Sequence, residues 1–254
     1  MHSRRTVAFA ALTLIGLTGT AEAIPVDLEL SLVIDSSGSI DDGEFSQQID
    51  GYAQAFQQAA VISSIVNAPN GIAVNTILFA SNAAEVIPFQ HLQTEQNILD
   101  FAAALAAIAR DTGGTNIAAG LNLAQETLNT NDFTSGNVII DVSGDGEQNT
   151  SGDPALSRDA ALSAGVSRIN GIAIGDQDVF DFYQANVIGG ADAFILQADS
   201  FADFDAAIAR KVQLEVGAPD PDPAPTPVAA PGALGLIGFG VFALGWIMRR
   251  RPLA

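Results

Sequence analysis

The sequence predicts one α/β domain, built on a doubly wound, mostly parallel Rossmann-like sheet with helices on both faces. Two largely apolar runs, Leu30–Ile34 and Val138–Ile140, are typical of strands buried on both sides. Segments with helical spacing alternate with such runs, which favours parallel strands joined by crossover helices. Oxygen-bearing residues follow both runs, at the sheet edge where ligands of open α/β sheets bind.

The strands are recognised by apolar runs or alternation between turn signals. The turn 67–71, which contains Pro69 and Gly71, separates the first helix from the second strand. A short strand follows that second strand closely enough to form an edge hairpin with it. In chain order, the predicted strands cover 26–35, 72–80, 84–89, 137–143, 167–175 and 191–197.

The helices are recognised by apolar stripes and by their first turns. Asp41, Asp42 and Glu44 open the first helix, because acidic residues complement the dipole of a first turn. Pro154 suits the first position of a later helix. In chain order, the predicted helices cover 40–66, 94–108, 117–128, 153–164, 178–185 and 200–214.

Residues 1–23 have the features of a secretory signal peptide. Arg4 and Arg5 precede an apolar run over 7–17, and Ala21-Glu22-Ala23 closes the segment. This order is typical of a cleaved export signal, with cleavage after Ala23. We therefore expect export, with an N-terminal membrane anchor as the alternative.

The other end of the chain predicts a membrane anchor. Residues 24–216 form the domain, and 217–231 are a Pro-rich linker that cannot pack. The uncharged segment 232–248 is just long enough for a transmembrane helix. The basic tail 249–254 contains three arginines and should stay cytoplasmic, which leaves the domain in the periplasm on the inner membrane.

Charge limits the classes of partner. The chain has 29 acidic and 10 basic residues and no cysteine. Outside the signal peptide and the basic tail, 28 acidic residues face 5 basic ones. Nucleic acid and anionic membrane surfaces repel such a chain, whereas cations are attracted to it. Solubility, or adaptation to a salty habitat, explains most of these acids equally well.

Three loops carry hard oxygen donors. They are Asp35-Ser36-Ser37-Gly38-Ser39, Gly113-Gly114-Thr115 and Gly144-Asp145-Gly146. In a doubly wound sheet, all three can meet at one carboxyl edge. Oxygen donors of this kind suit Mg²⁺, Mn²⁺ or Ca²⁺. The candidate ligands are therefore Asp35, Ser37, Ser39, Thr115 and Asp145.

The order and spacing of these five residues resemble the metal-ion-dependent adhesion site (MIDAS) of von Willebrand factor A domains, such as those of integrins and anthrax-toxin receptors. The segment Asp141–Gly146 also resembles a bacterial subfamily of this fold whose function is unknown. One departure is Gly144, which stands where the broad family usually has Thr. We expect this departure to change only the local loop.

The resemblance implies both a fold and a mode of binding. It implies that Ser37 and Ser39 ligate the metal directly, and Thr115 directly or through water. Asp35 and Asp145 would hold water ligands and supply charge. The open position would accept a carboxylate from a partner protein or polysaccharide.

The C-terminal order of linker, glycine-rich apolar helix and arginine cluster resembles the PEP-CTERM sorting signals that exosortases process. The match covers about the last 25 residues. It departs from the pattern at Val228-Ala229-Ala230-Pro231, where the usual Glu is missing. The resemblance implies an exosortase-like processing enzyme as a partner, and either retention in the inner membrane or release to the cell surface or matrix.

Two further residues have open roles. Asp141 lies four residues before Asp145 on the same strand, so it can support the metal site from beneath or bind neighbouring backbone. His91 is the only histidine outside the signal peptide, and we expect it at an edge or in a loop.

These observations predict an exported, non-enzymatic binding or adhesion module that depends on a divalent cation. The alternatives are a metal-dependent envelope hydrolase and an exopolysaccharide-matrix component displayed through the sorting tail. Hydrolysis is disfavoured because His91 and Lys211 are the only His and Lys outside the signal peptide, which leaves few bases for an activated nucleophile.

Overall fold

The computed structural model describes residues 22–219. Its strands are β1 (Ile24–Pro25), β2 (Leu28–Asp35), β3 (Ile72–Phe79), β4 (Ala83–Leu92), β5 (Phe133–Thr134), β6 (Val138–Gly144), β7 (Arg168–Ile174), β8 (Gly189–Gly190) and β9 (Ile195–Ala198). Its helices are α1 (Asp42–Phe56), α2 (Ala59–Asn67), α3 (Glu95–Ala106), α4 (Ile117–Thr130), α5 (Pro154–Ser163), α6 (Gln177–Asn186) and α7 (Phe201–Glu215).

The central sheet is mostly parallel, as predicted. Its strand order is β4-β3-β2-β6-β7, and β8 and β9 both pair with β7. Strands β2, β3, β6, β7 and β9 run parallel, whereas β4 is the antiparallel partner of β3 in the predicted edge hairpin. The two-residue strands β1, β5 and β8 are too short to leave a periodic signal in the sequence.

Helices cover both faces of the sheet, which confirms the doubly wound class. Leu30, Leu32 and Ile34 of β2 face a layer formed by α1, α2, α3 and α7. Val33, between them in the chain, faces the layer formed by α4, α5 and α6. Because β2 is buried on both faces, its side chains can alternate between two apolar cores.

Two element predictions are wrong in detail. The predicted helix over 40–66 is divided into α1 and α2, because Gln58 adopts an extended conformation with φ −67° and ψ 134°. No Gly or Pro marks that break. The predicted strand over 191–197 begins only at Ile195, because Asp192 has a positive φ of 58°, which a strand does not accommodate.

Asp141 neither supports the metal site nor binds backbone. Its carboxylate contacts the ammonium group of Lys211, which lies 2.7 Å from Glu215 Oε1. Asn170 donates to the same Glu215 oxygen at 2.9 Å. Burial and the charge of Glu215 raise the pKa of Asp141 to about 7, while Lys211 opposes the rise. This buried cluster fastens α7 to β6 and β7.

Several predictions lie outside the described residues. These are almost all of the signal peptide 1–23, most of the linker 217–231, the transmembrane helix 232–248 and the tail 249–254. Among residues 22–219, no helix is long and apolar enough to cross a membrane.

We predict that Lys211→Met will lower the free energy of unfolding by about 3–5 kcal/mol, because it leaves two buried carboxylates without a cation. A carboxyl with a raised pKa favours folding while it is protonated, and that contribution is lost as pH rises. The loss will therefore be larger at about pH 8 than at about pH 5, as measured by urea denaturation.

Arg158→Met is the matched control: Arg158 is also buried and donates to the Ala185 carbonyl at 2.8 Å, but the carboxylate it pairs with, Asp159, is 62% exposed and would not be left buried without a cation. It should cost less and show little dependence on pH. An equal, pH-independent loss in both variants would contradict the role of the buried cluster.

Candidate metal centre

The first loop of the site follows directly from β2. Asp35 ends the strand with its side chain fully buried, and its Oδ1 accepts a hydrogen bond from the Ser37 amide at 2.7 Å. This short-range turn directs Ser37 and Ser39 to the same place, with their Oγ atoms 3.2 Å apart. Asp41 then caps α1 by accepting from the Glu44 amide at 2.9 Å.

The second loop lies against the first. The Gly38 amide donates to the Gly113 carbonyl at 2.8 Å. Gly113 must be a glycine, because a Cβ there would lie 2.9 Å from the Ser81 amide nitrogen. Thr115 is buried beside this contact, immediately before α4.

The third loop completes the arrangement. Strands β2 and β6 are paired in parallel with Ile34 opposite Ser143, so they end at the same level. Asp145 therefore follows β6 close to Ser39, whose Oγ donates to Asp145 Oδ1 at 2.7 Å. The structure thus brings four of the predicted residues together: Asp35, Ser37, Ser39 and Asp145.

Thr115 is joined to the others through Asn149. The Thr115 amide donates to Asn149 Oδ1 at 2.8 Å, and Asn149 Nδ2 donates to Thr115 Oγ1 at 3.2 Å. The Asn149 amide also donates to the Thr115 carbonyl at 3.1 Å. Asn149 follows Asp145 in the same loop. This loop therefore supplies the Asp145 carboxylate and also fixes the position of Thr115.

The two carboxylates lack a compensating positive charge. Burial raises the pKa of Asp35 to about 7, and the charge of Asp145 adds to that rise. Burial also raises the pKa of Asp145. In the described part of the chain, neither pKa is lowered by a cationic side chain. Asp35 Oδ2 is buried and has no hydrogen-bond partner.

These features fit a hard divalent cation. Two carboxylates and three hydroxyls supply oxygen donors only, as Mg²⁺, Mn²⁺ and Ca²⁺ prefer. A cation would supply the missing counter-charge and stabilise the ionised forms. Among residues 22–219, no three His, Cys, Asp or Glu side chains form a metal-binding group, so the hydroxyls are essential to the donor set. The role of the five residues as ligands stays a prediction.

Sequence reasoning missed the residues that hold the first loop from outside. Arg110 donates to the Ser37 carbonyl at 2.9 Å and to the Ile40 carbonyl, and forms a 2.7 Å ion pair with Asp42. Gln48 of α1 donates to the Asp35 carbonyl at 2.8 Å. The position of Arg110, a basic residue just before the glycine turn at 113–114, could have indicated its role in the sequence. Nothing in the sequence distinguished Gln48.

His91 lies away from the candidate centre, as expected for an edge residue. It pairs with Ala73 near the start of β3, whereas the site lies beyond the end of β2. Its Nε2 is 2.8 Å from the Asn70 carbonyl, and its ring packs on Phe133.

The sheet order and the two helical layers agree with the fold of von Willebrand factor A domains. The resemblance that the sequence suggested is therefore confirmed at the level of the fold. The chain belongs to the family described as "Protein of unknown function (DUF1194)", whose model matches residues 25–220. No curated protein matched the sequence.

Solved structures share the fold at low sequence identity. The mussel byssus proximal thread matrix protein 1, with a zinc-occupied MIDAS motif, is 18% identical, with a TM-score of 0.56 over 77% of this chain and 50% of that protein. The pilus adhesin SpaC of Lactobacillus rhamnosus GG is 16% identical, with a TM-score of 0.55 over 78% of this chain and 31% of the adhesin. A von Willebrand factor type A protein of Catenulispora acidiphila is 14% identical, with a TM-score of 0.55 over 76% and 43%. This chain therefore spans half or less of the length of each.

Proposed function

We propose that this protein is an exported binding module that holds a divalent cation at Asp35, Ser37, Ser39, Thr115 and Asp145. The cation then binds an acidic group on a partner protein or polysaccharide. The observation that carries this proposal is the pair of carboxylates, Asp35 and Asp145, gathered with hydroxyls and without a cationic side chain to balance them.

The donor set favours Mg²⁺, with Mn²⁺ or Ca²⁺ as substitutes, because all the side-chain donors are hard oxygens. The mussel protein with a zinc-occupied MIDAS motif supports divalent-cation binding by this fold. Ser39 is exposed, whereas Asp35 and Ser37 are fully buried. The metal would therefore be open to a ligand on the side of Ser39 and the half-buried Asp145.

The surroundings favour binding over hydrolysis. A hydrolase needs a group that accepts or donates a proton beside the reacting atoms. His91 lies near the start of β3, at the end of the sheet opposite the candidate metal centre. The ammonium group of Lys211 is buried between Asp141 and Glu215. The matrix protein and the pilus adhesin that share the fold agree with an adhesive role.

We predict that the purified protein will bind one Mg²⁺ or Mn²⁺ ion, measured by calorimetry, and that Asp145→Asn will weaken binding about tenfold or more, because ligand charge sets affinity. Saturation at about 100 times the Kd should stabilise the fold by about 2.7 kcal/mol. Asp132→Asn, which changes an exposed carboxylate beside β5, is the control and should bind normally. Equal binding by Asp145→Asn and the original protein would contradict the site.

We predict that the immobilised protein will retain a component of the native envelope in Mg²⁺ and release it in EDTA. Asp145→Asn should retain none, and esterifying the carboxyl groups of the retained component should abolish binding, since the open metal position needs an anion. Metal-dependent turnover of a phosphoester, ester or glycoside, lost in Asp145→Asn, would instead establish a hydrolase.

We propose export through residues 1–23 and sorting through residues 217–254. Replacing Arg249–Arg251 with serine should change the distribution of the protein between membrane and released fractions, because the arginines fix the orientation of the apolar segment. Immunoblots of fractionated cells measure this. An unchanged distribution would count against a sorting role.

A further inference from the structure

Tyr183 brings a hydroxyl group to the candidate metal centre from α6. The side chain is fully buried, and its hydroxyl has no hydrogen-bond partner among residues 22–219. Asp35 Oδ2 is the other buried oxygen without a partner at this end of the sheet. A buried polar atom without a partner costs free energy, so two such atoms in one place require an explanation.

The Tyr183 hydroxyl lies on the same face of the sheet as Asp35, and Gly171 and Gly144 leave room for it there. Side chains alternate along a strand, so Asp35 shares the face of Val33, and Gly144 shares the face of Val142. That face carries α6. The Tyr183 ring passes Gly171 of β7, where a Cβ would lie 3.6 Å from Tyr183 Cδ1.

Gly144 is the point at which the two unpartnered oxygens meet. A Cβ at residue 144 would collide with the Tyr183 hydroxyl and would lie 2.7 Å from Asp35 Oδ2. The hydroxyl thus occupies the space that a side chain at position 144 would need, beside the carboxylate. Only glycine leaves that space free, so Gly144 and Tyr183 depend on each other.

The phenol is the hydrogen-bond donor of the pair. A tyrosine hydroxyl has an ordinary pKa of about 10, so it carries its proton at neutral pH and can donate it to a hydrogen bond. An ionised Asp35 can only accept hydrogen bonds, and Oδ1 already accepts the Ser37 amide.

We propose that Tyr183 is a positioning residue of the metal centre: when a cation is bound, its hydroxyl, which is unpartnered in the metal-free structure, donates to Asp35 Oδ2 and fixes the carboxylate in the orientation that metal binding needs. The inference rests on the proposed function, since it assigns a support to one of the five candidate ligands. The effect of Gly144, which stands where the resembled family usually has Thr, is then not confined to its loop. The Tyr183 hydroxyl from α6 fills the space that a side chain at position 144 would need.

The test is metal affinity in Tyr183→Phe, which removes only the hydroxyl. Groups that orient metal ligands typically contribute about 10–100-fold to affinity, so we expect Mg²⁺ and Mn²⁺ to bind at least about tenfold more weakly. The metal-free variant should be as stable as the original protein or slightly more so, because a buried, unpartnered hydroxyl is lost. A merely structural hydroxyl would give the reverse: lower stability with unchanged affinity.

Tyr52→Phe is the matched control, because Tyr52 is the other tyrosine and its hydroxyl donates to Ser143 Oγ at 3.1 Å on the opposite face. It should reduce stability and leave metal affinity within about twofold, since the satisfied hydrogen bond that it removes lies on the face of the sheet opposite the Asp35 side chain. Normal metal affinity in Tyr183→Phe would overturn the proposal.

Gly144→Ala is a second variant, which tests the same contact by adding a Cβ instead of removing the hydroxyl. It should weaken metal binding and lower stability, because the new Cβ displaces the Tyr183 hydroxyl, whereas Gly146→Ala should be neutral because its Cβ meets nothing within 4 Å. In the Tyr183→Phe background, Gly144→Ala should cost less than it does alone. Additive effects would count against contact between the two positions.

An NMR measurement separates this proposal from the proposed function. With Mg²⁺ bound, a phenol held by Asp35 should give a slowly exchanging downfield hydroxyl proton that is absent in Tyr183→Phe and in the metal-free protein, where the two oxygens are unpartnered. If the original protein binds no divalent cation, the proposed function fails. If the original protein binds Mg²⁺ without this resonance, the positioning role is overturned and the proposed function stands.

Discussion

The parallel pairing of β2 with β6 is the constraint on which the candidate site depends. Because Ile34 lies opposite Ser143, the two strands end together: β2 ends in Asp35, and Asp145 directly follows β6. Sheet formation thus forces Asp35 and Asp145 to share one edge, where burial and then the charge of Asp145 raise the pKa of Asp35. The hydrogen bond from Ser39 to Asp145 offsets part of that cost. A bound cation would offset far more, so the strand register that builds the apolar core would also create the proposed affinity for metal.

Alternation along β6 directs its polar groups to opposite faces. Asp141 and Ser143 face α1 and α7, where Tyr52 donates to Ser143 and Lys211 pairs with Asp141. Gly144 faces α6 and leaves room for a hydroxyl beside Asp35. One strand therefore anchors the last helix on one side and adjoins the metal centre on the other. This separation keeps the buried lysine from neutralising the site carboxylates, because Lys211 is committed to the opposite layer.

The sequence was sufficient for the fold class, because long apolar runs alternating with helical stripes leave few other arrangements. It was also sufficient to gather Asp35 and Asp145, since strand ends in a parallel sheet share an edge. It could not place Lys211 or Tyr183, which reach β6 from helices far along the chain, because such contacts depend on how helices settle on the sheet. The only lysine of a strongly acidic chain was a usable signal for a buried ion pair. The break between α1 and α2 had no such signal, because neither Gln57 nor Gln58 restricts the backbone.

The net charge of −19 bears on how a partner would be selected. An acidic partner approaches an acidic surface, so long-range electrostatics oppose the encounter instead of steering it. Glu44 adds to this locally, because its charge also raises the pKa of Asp145. Any attraction must then come from direct coordination at the cation, which acts only over bonding distance. An anion that cannot reach the open metal position gains nothing and is repelled by the surrounding surface. Under the proposed function, repulsion at a distance combined with coordination at contact would therefore select partners by the reach and geometry of a single acidic group, not by their overall charge.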